Sequence, residues 1–495
     1  MNTEQNPHDA VPYPALAFSN THPERLAAMA ILHGLEPAPV ERCRVLEVAC
    51  NEGANLIPMA YAIPGSEFVG FDLARQPVER ARQRIGELGL QNIRIFASDL
   101  MEVGADLGQF DYIIAHGVYS WVPEPVRDRL LALCRELLMP QGIAFLSYNA
   151  LPGGYVRSMI REMMRFMMNG TENVDHQVGV ALGLVYFLLD GRPEDDPYRR
   201  MIEQHLQRMG DRNLNATFHD ELCDVNDAVR FIEFAEHARR HGLQYLCEAK
   251  LPPPSDPGYR PQIREAIEKV APGDIFRQEQ MLDFARARKY RETLLCRADC
   301  EVRRDLSAER FRKLLFSSPA SSAPGKEAGT TIFNLPGGAT MESNHPGAVA
   351  IMRELERAWP RALRWEEIEP RIDGCGFQLN ADGAALLLRL SAGEFIEMHG
   401  WRAELPRAIS ARPRASRCSV REAASSGQAT NLFHSIVRFD DPIARKLFML
   451  LDGTRSRNEL IEALKADFLG VPAEDIEMRI EPSLEFFFRA GFLEA

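Results

Sequence analysis

The segment Arg44-Val-Leu-Glu-Val-Ala-Cys-Asn-Glu-Gly-Ala-Asn55 constrains the fold more than any other. A β-branched run ends there in small and turn-forming residues. A second apolar run, Glu67-Phe-Val-Gly-Phe-Asp72, closes on a carboxylate. Strand, tight turn, helix, strand and acid is the order of a nucleotide-binding βαβ unit. Small residues let the backbone approach a ligand at a helix N-terminus. A carboxylate about 20 residues later accepts from both ribose hydroxyls.

The turn departs from the dinucleotide fingerprint, whose three glycines admit a pyrophosphate. Those positions read Ala49, Asn51 and Gly53. A ligand without pyrophosphate suits them better, and S-adenosylmethionine is the obvious one. Ile93-Arg-Ile-Phe-Ala is a third strand, followed by Ser98-Asp99-Leu100, a polar pair suited to an adenine amino group. Phe110–Ala115 is a fourth. In this order the segments resemble the successive motifs of a class I, Rossmann-like methyltransferase. Cofactor contacts are expected from Glu47, Ala49, Cys50, Asn51, Gly53, Asn55, Asp72, Leu73, Ser98, Asp99 and Leu100.

Helices are expected at 54–62, 77–88 and 125–138, and strands at 44–49, 67–71, 92–96, 110–115 and 142–149. Such alternation predicts an α/β fold, with a parallel sheet covered on both faces. Thr21 is a plausible cap for a helix from Pro23. Residues 155–210 read as helices crowded with methionine, which suits a core or a subunit interface. They are expected outside the sheet. Val225, Ala228, Val229, Ile232 and Ala235 predict a helix over 226–241, ended by Gly242, and Leu243–Cys247 a strand that completes the sheet. Leu251–Gly258 reads as a Pro-rich joint, Ser317–Gly325 as a flexible boundary and 402–428 as a solvated basic linker. Ser456-Arg-Asn-Glu459 is a capping box in a compact C-terminal unit shaped like a winged helix. A weaker helix–wing echo covers 345–400.

With 495 residues the chain is long enough for several domains. The expected divisions are an N-terminal lid (1–40), a cofactor-binding core (41–150), a helical insertion (151–215), a regulatory middle domain (216–316) and two winged-helix-like domains (330–402 and 430–495). A net charge of −12 disfavours a phosphate-backbone partner. So does the last long helix, with Glu474, Asp475, Glu477, Glu481 and Glu485 where a DNA reader needs cations. It favours a protein contact. No membrane span or secretory signal is expected. Nine scattered cysteines suit a reducing, cytoplasmic setting. Cys296 and Cys300 lack a second ligand pair, so no metal site is expected.

Methyl transfer from a sulfonium is an in-line displacement that depends on positioning. A lysine acceptor must first lose its proton, which a dry aromatic pocket favours. His116, Tyr119 and Trp121 follow the fourth strand, at the sheet edge where ligands gather. Asn149 ends the fifth strand at that edge. Tyr119, Trp121 and Asn149 are therefore the catalytic candidates. For Trp121 packing beneath the loop is an equal alternative, and for Asn149 a turn role. His219, Asp220 and Glu221 are acid/base or orienting candidates, or a simple helix entry.

Several stretches are similar to bacterial methyltransferases that carry a methyltransferase regulatory domain. They include Pro12-Tyr-Pro, Thr21–Leu26, Glu47–Asn55, Ala115–Pro123, Ser147–Gly153, His219–Leu222, His241–Tyr245 and Phe284–Leu295. The chain resembles the rickettsial-type protein lysine methyltransferases, which act on outer-membrane proteins. The resemblance implies a homodimer and a protein acceptor. It adds Tyr13, His116 and Gly117 to the cofactor contacts. Ala49 and Asn51 depart from the usual glycines, which keeps open a cofactor-binding regulator without catalysis; a small-molecule methyltransferase is the other alternative. The C-terminal unit is expected to be distant from the cofactor turn and separately cored.

Overall fold

The computed structural model describes residues 9, 11–166, 168, 174–209, 213–251, 256, 260–305 and 307–494. Its centre is a seven-stranded sheet in the order β3-β2-β1-β4-β5-β7-β6. The strands are β1 (Arg44–Val48), β2 (Glu67–Asp72), β3 (Ile93–Ala97), β4 (Phe110–Ala115), β5 (Leu138–Asn149), β6 (Leu243–Glu248) and β7 (Tyr290–Arg297). The first five run parallel. β7 is antiparallel to both β5 and β6, so the sheet is mixed. Their side chains are buried because helices cover both faces, which is why the strands read as continuous apolar runs.

The helices of this region are α1 (Pro23–Leu32), α2 (Leu56–Ala62), α3 (Arg75–Leu88) and α4 (Glu124–Leu137). His22, rather than Thr21, caps α1, its Nδ1 accepting from Glu24 N at 3.2 Å. Thr21 instead gives its hydroxyl to Phe18 O at 2.7 Å. The helices α5 (Gly154–Phe166), α6 (Val174–Asp190) and α7 (Pro197–Met209) stand outside the sheet and share a small core of their own. Met164 is buried in it, while Phe166 is 82% and Phe187 75% exposed. Met167 lies outside the described residues.

Helix α8 begins at Phe231 and ends at Arg240, later than the pattern suggested. Residues before it are extended because they line the end of β5. Val229 N donates to Asn149 O at 3.0 Å, and Asp227 N to Ser120 O at 2.9 Å. The buried face is therefore Phe231, Phe234, Ala235 and Ala238, with Ile232 turned outward. β6 does complete the sheet, at its edge, but β7 separates it from β5.

The stretch expected as a flexible boundary contains β8 (Leu315–Ser317) and β9 (Ser321–Pro324). Ser317 and Ser318 are fully buried, each with its hydroxyl hydrogen-bonded. The basic run is no solvated linker either. Arg417–Ser426 is a helix, and the buried Arg402 guanidinium sits 3.8 Å above the Phe433 ring. Most of the Pro-rich joint lies outside the described residues. The C-terminal unit holds the hairpin Gln428–Thr430/Ile436–Arg438 and the helices Pro442–Met449, Arg457–Asp467 and Ala473–Arg489. Ser456 and Glu459 form the expected capping box. Among the described residues no helix is long and apolar enough to cross a membrane.

β7 is held by Arg291, which is fully buried. Its guanidinium donates to both oxygens of Asp283 at 2.8 and 2.9 Å, to Glu248 Oε1 at 2.6 Å and to Glu279 Oε2 at 3.0 Å. Arg291→Met is expected to strand these carboxylates and cost about 3–5 kcal/mol in urea unfolding. A loss near zero would show that the network is not what fixes β7.

Candidate functional site

The turn after β1 is left-handed three times: Ala49 at φ 56°, Asn51 at φ 49° and Gly53 at φ 69°. The two non-glycine residues thus keep the geometry glycine would give. Each L-residue in this region costs roughly 1–2 kcal/mol, Asn less than most. The arrangement pulls Asn51 N over Asp72, whose Oδ2 accepts it at 2.8 Å. Asp72 Oδ1 accepts Ala74 N at 2.8 Å. Burial pushes the Asp72 carboxyl above its usual range, against these amide bonds. Leu73 beside it is 60% exposed. Asp99 Oδ1 accepts Met101 N at 2.9 Å, and Ser98 Oγ donates to Asp99 O at 3.3 Å, with Leu100 buried beneath.

Glu47 and Asn55 form the buried floor of the turn. Asn55 Nδ2 donates to Glu47 Oε1 at 2.7 Å and to Thr21 Oγ1 at 2.9 Å. Its Oδ1 accepts Phe18 N at 2.9 Å and lies 2.8 Å from His434 Nε2. Glu47 Oε2 is buried with no hydrogen-bond partner, and burial pushes this carboxyl up to about 8. The floor therefore fits a ligand that brings an N–H donor, as the ammonium group of S-adenosylmethionine does. Cys50 is buried beside it against Gly70, and burial pushes its thiol well up, so it is inert.

The contact of His434 with Asn55 corrects the expectation of a distant C-terminal unit. Tyr61 on α2 also donates to Glu494 Oε1 at 2.6 Å and accepts Arg417 N at 3.1 Å. The preceding unit docks likewise, with Arg25 Nη2 to Glu397 at 2.8 Å and His399 Nδ1 3.1 Å from Glu24. Its apolar core is continuous with one face of the sheet. Of these two C-terminal units, the last keeps an apolar core of its own.

Residues 11–22 cross the carboxyl edge of the sheet. Asn51 Nδ2 reaches Tyr13 O at 3.5 Å, and the Tyr13 hydroxyl donates to Asp220 Oδ1 at 3.4 Å. The Tyr13 and His219 rings are 5.7 Å apart, and His219 Nε2 lies 2.7 Å from Val11 O. Phe18 stacks on His116 at 3.8 Å, and Tyr290 Oη is 3.4 Å from His116 Nε2. Burial holds His116 down at about 4, so its imidazole is neutral near pH 7. Gly117 N donates to Ser147 Oγ at 2.8 Å. Asn149, Arg157 and Trp121 form a second group: Arg157 Nη1 donates to Asn149 Oδ1 at 3.3 Å and its guanidinium lies 5.9 Å from the Trp121 ring centre. Asn149 Nδ2 also donates to Asn226 Oδ1 at 2.6 Å, and Glu221 pairs with Arg157 at 2.9 Å.

The candidates thus fall together around the turn, the His116 wall and the Asn149 group, with one exception. Tyr119 turns into the opposite side, packed on Tyr148 and Phe234, its hydroxyl 2.9 Å from His237 Nδ1. Phe18, Tyr290, Arg157, Asn226 and His434 were missed. Tyr290 lies within the family-like stretch 284–295, so a signal for it existed. The others carried none, since each gains its place through a partner remote in sequence.

Fold and site define a class I S-adenosylmethionine methyltransferase architecture, and comparisons with known proteins agree. Residues 45–142 match a "Methyltransferase domain", 213–297 a "Predicted methyltransferase regulatory domain" and 411–470 a "PKMT, C-terminal winged helix domain". Two similar proteins come from Rickettsia prowazekii. "Uncharacterized protein RP789" is 34% identical over 63% of this chain and 56% of its own length. "Uncharacterized protein RP028" is 33% identical over 49% of this chain and 98% of its own. The fold matches PKMT2 from Rickettsia typhi with a TM-score of 0.85 at 23% identity, over 98% of this chain and all of that one; PKMT2 is also known in complex with AdoHcy, at 24% identity. The chain belongs to the class I S-adenosylmethionine-dependent methyltransferases that carry a methyltransferase regulatory domain and a PKMT-type winged helix. S-adenosyl-L-methionine is its cofactor.

Asp72→Ala is expected to weaken S-adenosylmethionine binding about ten- to a hundredfold in titration calorimetry, the value of a hydrogen bond to a charged group. Unchanged affinity in the folded variant would remove Asp72 from the site. Glu47 makes a second prediction, for the ligand-free protein. Its folded value lies above the unfolded one, so its contribution is whole below pH 4.5 and is lost as pH rises through about 8. Relative to Glu47→Gln, the wild type should lose about 1.4 kcal/mol of stability per pH unit across that window. Parallel pH profiles for the two proteins would show Glu47 ionised throughout.

Proposed function

We propose that this protein transfers methyl groups from S-adenosylmethionine to lysine side chains of a protein acceptor. The observation that carries the reading is the aromatic wall of Phe18, His116 and Tyr290 beside the Asp72 turn. It is a half-buried aromatic surface on the side of the sheet where an acceptor would enter. The PKMT-type winged helix and the rickettsial likeness support the same reading. When bound, the cofactor supplies an electrophilic methyl group on sulfur.

Residues of this chain do the rest. Asp72, Asn51 and Glu47 hold the cofactor at the turn, and Ser98, Asp99 and Leu100 take its adenine end. Residues 11–22 exclude water. The low polarity of the wall disfavours an ammonium and so favours the neutral amine. Neutral His116 has a lone pair to take the departing proton, and Tyr290 orients it. Asn149, fixed by Arg157 and Asn226, orients the amine, and Trp121 shields it. Transfer would form a C–N bond as the C–S bond breaks, with the neutral thioether as leaving group, and His116 would pass the amine's proton to solvent.

The retained left-handed turn at Ala49 and Asn51 weighs against a regulator without catalysis. The acceptor need not bind the acidic last helix. Glu477 is paired with Lys465 and Glu481 with Arg457, so part of its charge is spent within the unit. A homodimer would cover the exposed Phe166, Tyr186, Phe187 and Leu188 of the insertion. All nine cysteines are free thiols, as suits the cytoplasm.

The test is incubation of the pure protein with isotopically labelled S-adenosylmethionine and extracts of cells that lack its gene, followed by mass spectrometry. Label should appear on lysine, as increments of one to three methyl groups, and His116→Ala should reduce it about 10²–10⁴-fold if His116 is the proton acceptor. Label confined to small molecules would overturn the reading.

A further inference from the structure

Helix α8 turns His237 towards α4, and His241 caps it one helical turn further on the same face. Asp128 projects from α4 between them. Its Oδ1 lies 3.3 Å from His237 Nε2 and 2.8 Å from His241 Nε2. The three donor atoms all lie within 4.8 Å of one another. Donors on a tetrahedral zinc ion at about 2.0–2.1 Å stand about 3.3 Å apart. The two distances to Asp128 are close to that spacing, and all three donors are near enough to share one ion. We propose that Asp128, His237 and His241 bind a divalent transition-metal ion, zinc foremost, that fastens the regulatory region to the methyltransferase core.

The chemistry of the donors suits this. Two imidazoles and a carboxylate, with no thiolate, favour zinc, cobalt or nickel over calcium or magnesium. The ring of His237 is set by its other nitrogen, which faces the buried Tyr119 hydroxyl at 2.9 Å, and such outer partners orient metal-binding imidazoles. The Asp128 side chain is 59% exposed, so an ion has a path in and water can fill the fourth corner.

Without a metal, both imidazoles donate Nε2–H to one carboxylate oxygen, and Tyr119 donates to His237 Nδ1. With a metal, both Nε2 atoms carry lone pairs towards the ion. His237 then holds its proton on Nδ1 and donates to the Tyr119 oxygen, and the Tyr119 hydroxyl keeps its own hydrogen, rotated away from the ring. The three residues span two matched segments, Asp128 in the methyltransferase domain and the histidines in the regulatory domain. Asp128 and His237 are 109 positions apart, so the four-residue spacing of the two histidines is the one part of this set that is local in sequence. This inference does not depend on the identity of the methyl acceptor.

The experiment uses the full chain, stripped with a chelator. Zinc chloride is titrated by calorimetry, and cobalt(II) is followed through its visible absorption bands. One equivalent should bind, cobalt should show intense tetrahedral bands, and zinc should raise the melting temperature. His241→Ala and Asp128→Asn should each weaken binding at least tenfold and abolish the rise. Both positions are at the surface edge of the cluster, and circular dichroism checks that they fold. Tyr119→Phe should keep one equivalent but bind about ten- to a hundredfold more weakly. No binding to the wild type, or unchanged affinity in both His241→Ala and Asp128→Asn, would overturn the proposal.

Discussion

The carboxamide of Asn55 is the point on which the site depends. It is buried at the start of α2, where an amide must find partners for two N–H groups and an oxygen. One partner comes from β1, through Glu47. Two come from the N-terminal crossing, through Phe18 and Thr21. The fourth comes from the C-terminal unit, through His434. Leaving any of these unmade in a water-poor setting costs more than the bond itself contributes. The arrangement therefore couples the cofactor turn to both outlying parts of the chain.

The turn above Asn55 shows the same economy. Three left-handed residues in five bring Asn51 N onto Asp72 and leave the carboxylate fixed rather than mobile. A carboxylate already fixed would lose little further freedom on accepting a hydroxyl donor, which is the advantage of preorganisation. The strain at Ala49 is tolerable because Ala49 carries only a methyl group, pointing to solvent. A larger or branched residue there would meet the same backbone penalty with more side chain to accommodate.

The parallel half of the sheet was legible because each strand and its helix are consecutive and carry their own apolar pattern. So were Asp72, Asp99 and the Asn51 turn, which follow one another at fixed spacing. The mixed half was harder. β7 enters between β5 and β6 after two helices, and nothing local in Tyr290–Arg297 states that it runs antiparallel. The start of α8 was misread because the apolar residues Val225 and Val229 continue a helical spacing. The backbone of Val229 instead pairs with the end of β5. Tyr119 was assigned to the methyl site from its position after β4, but a side chain's direction there depends on Phe234 and His237, which are supplied by a distant helix. Contacts such as Glu24 with His399 and Asn55 with His434 had no signature at all, since neither partner looks unusual alone.

A ribosome delivers Asn55 some 379 residues before His434. The strand and turn are thus made first, and the imidazole beneath the turn follows long after. A chain made only as far as β7 carries all seven strands of the sheet and still lacks the His434 imidazole at Asn55. The floor of the turn is in this sense assembled from segments remote in sequence, and it is whole when residues 18–21 and His434 are both in place.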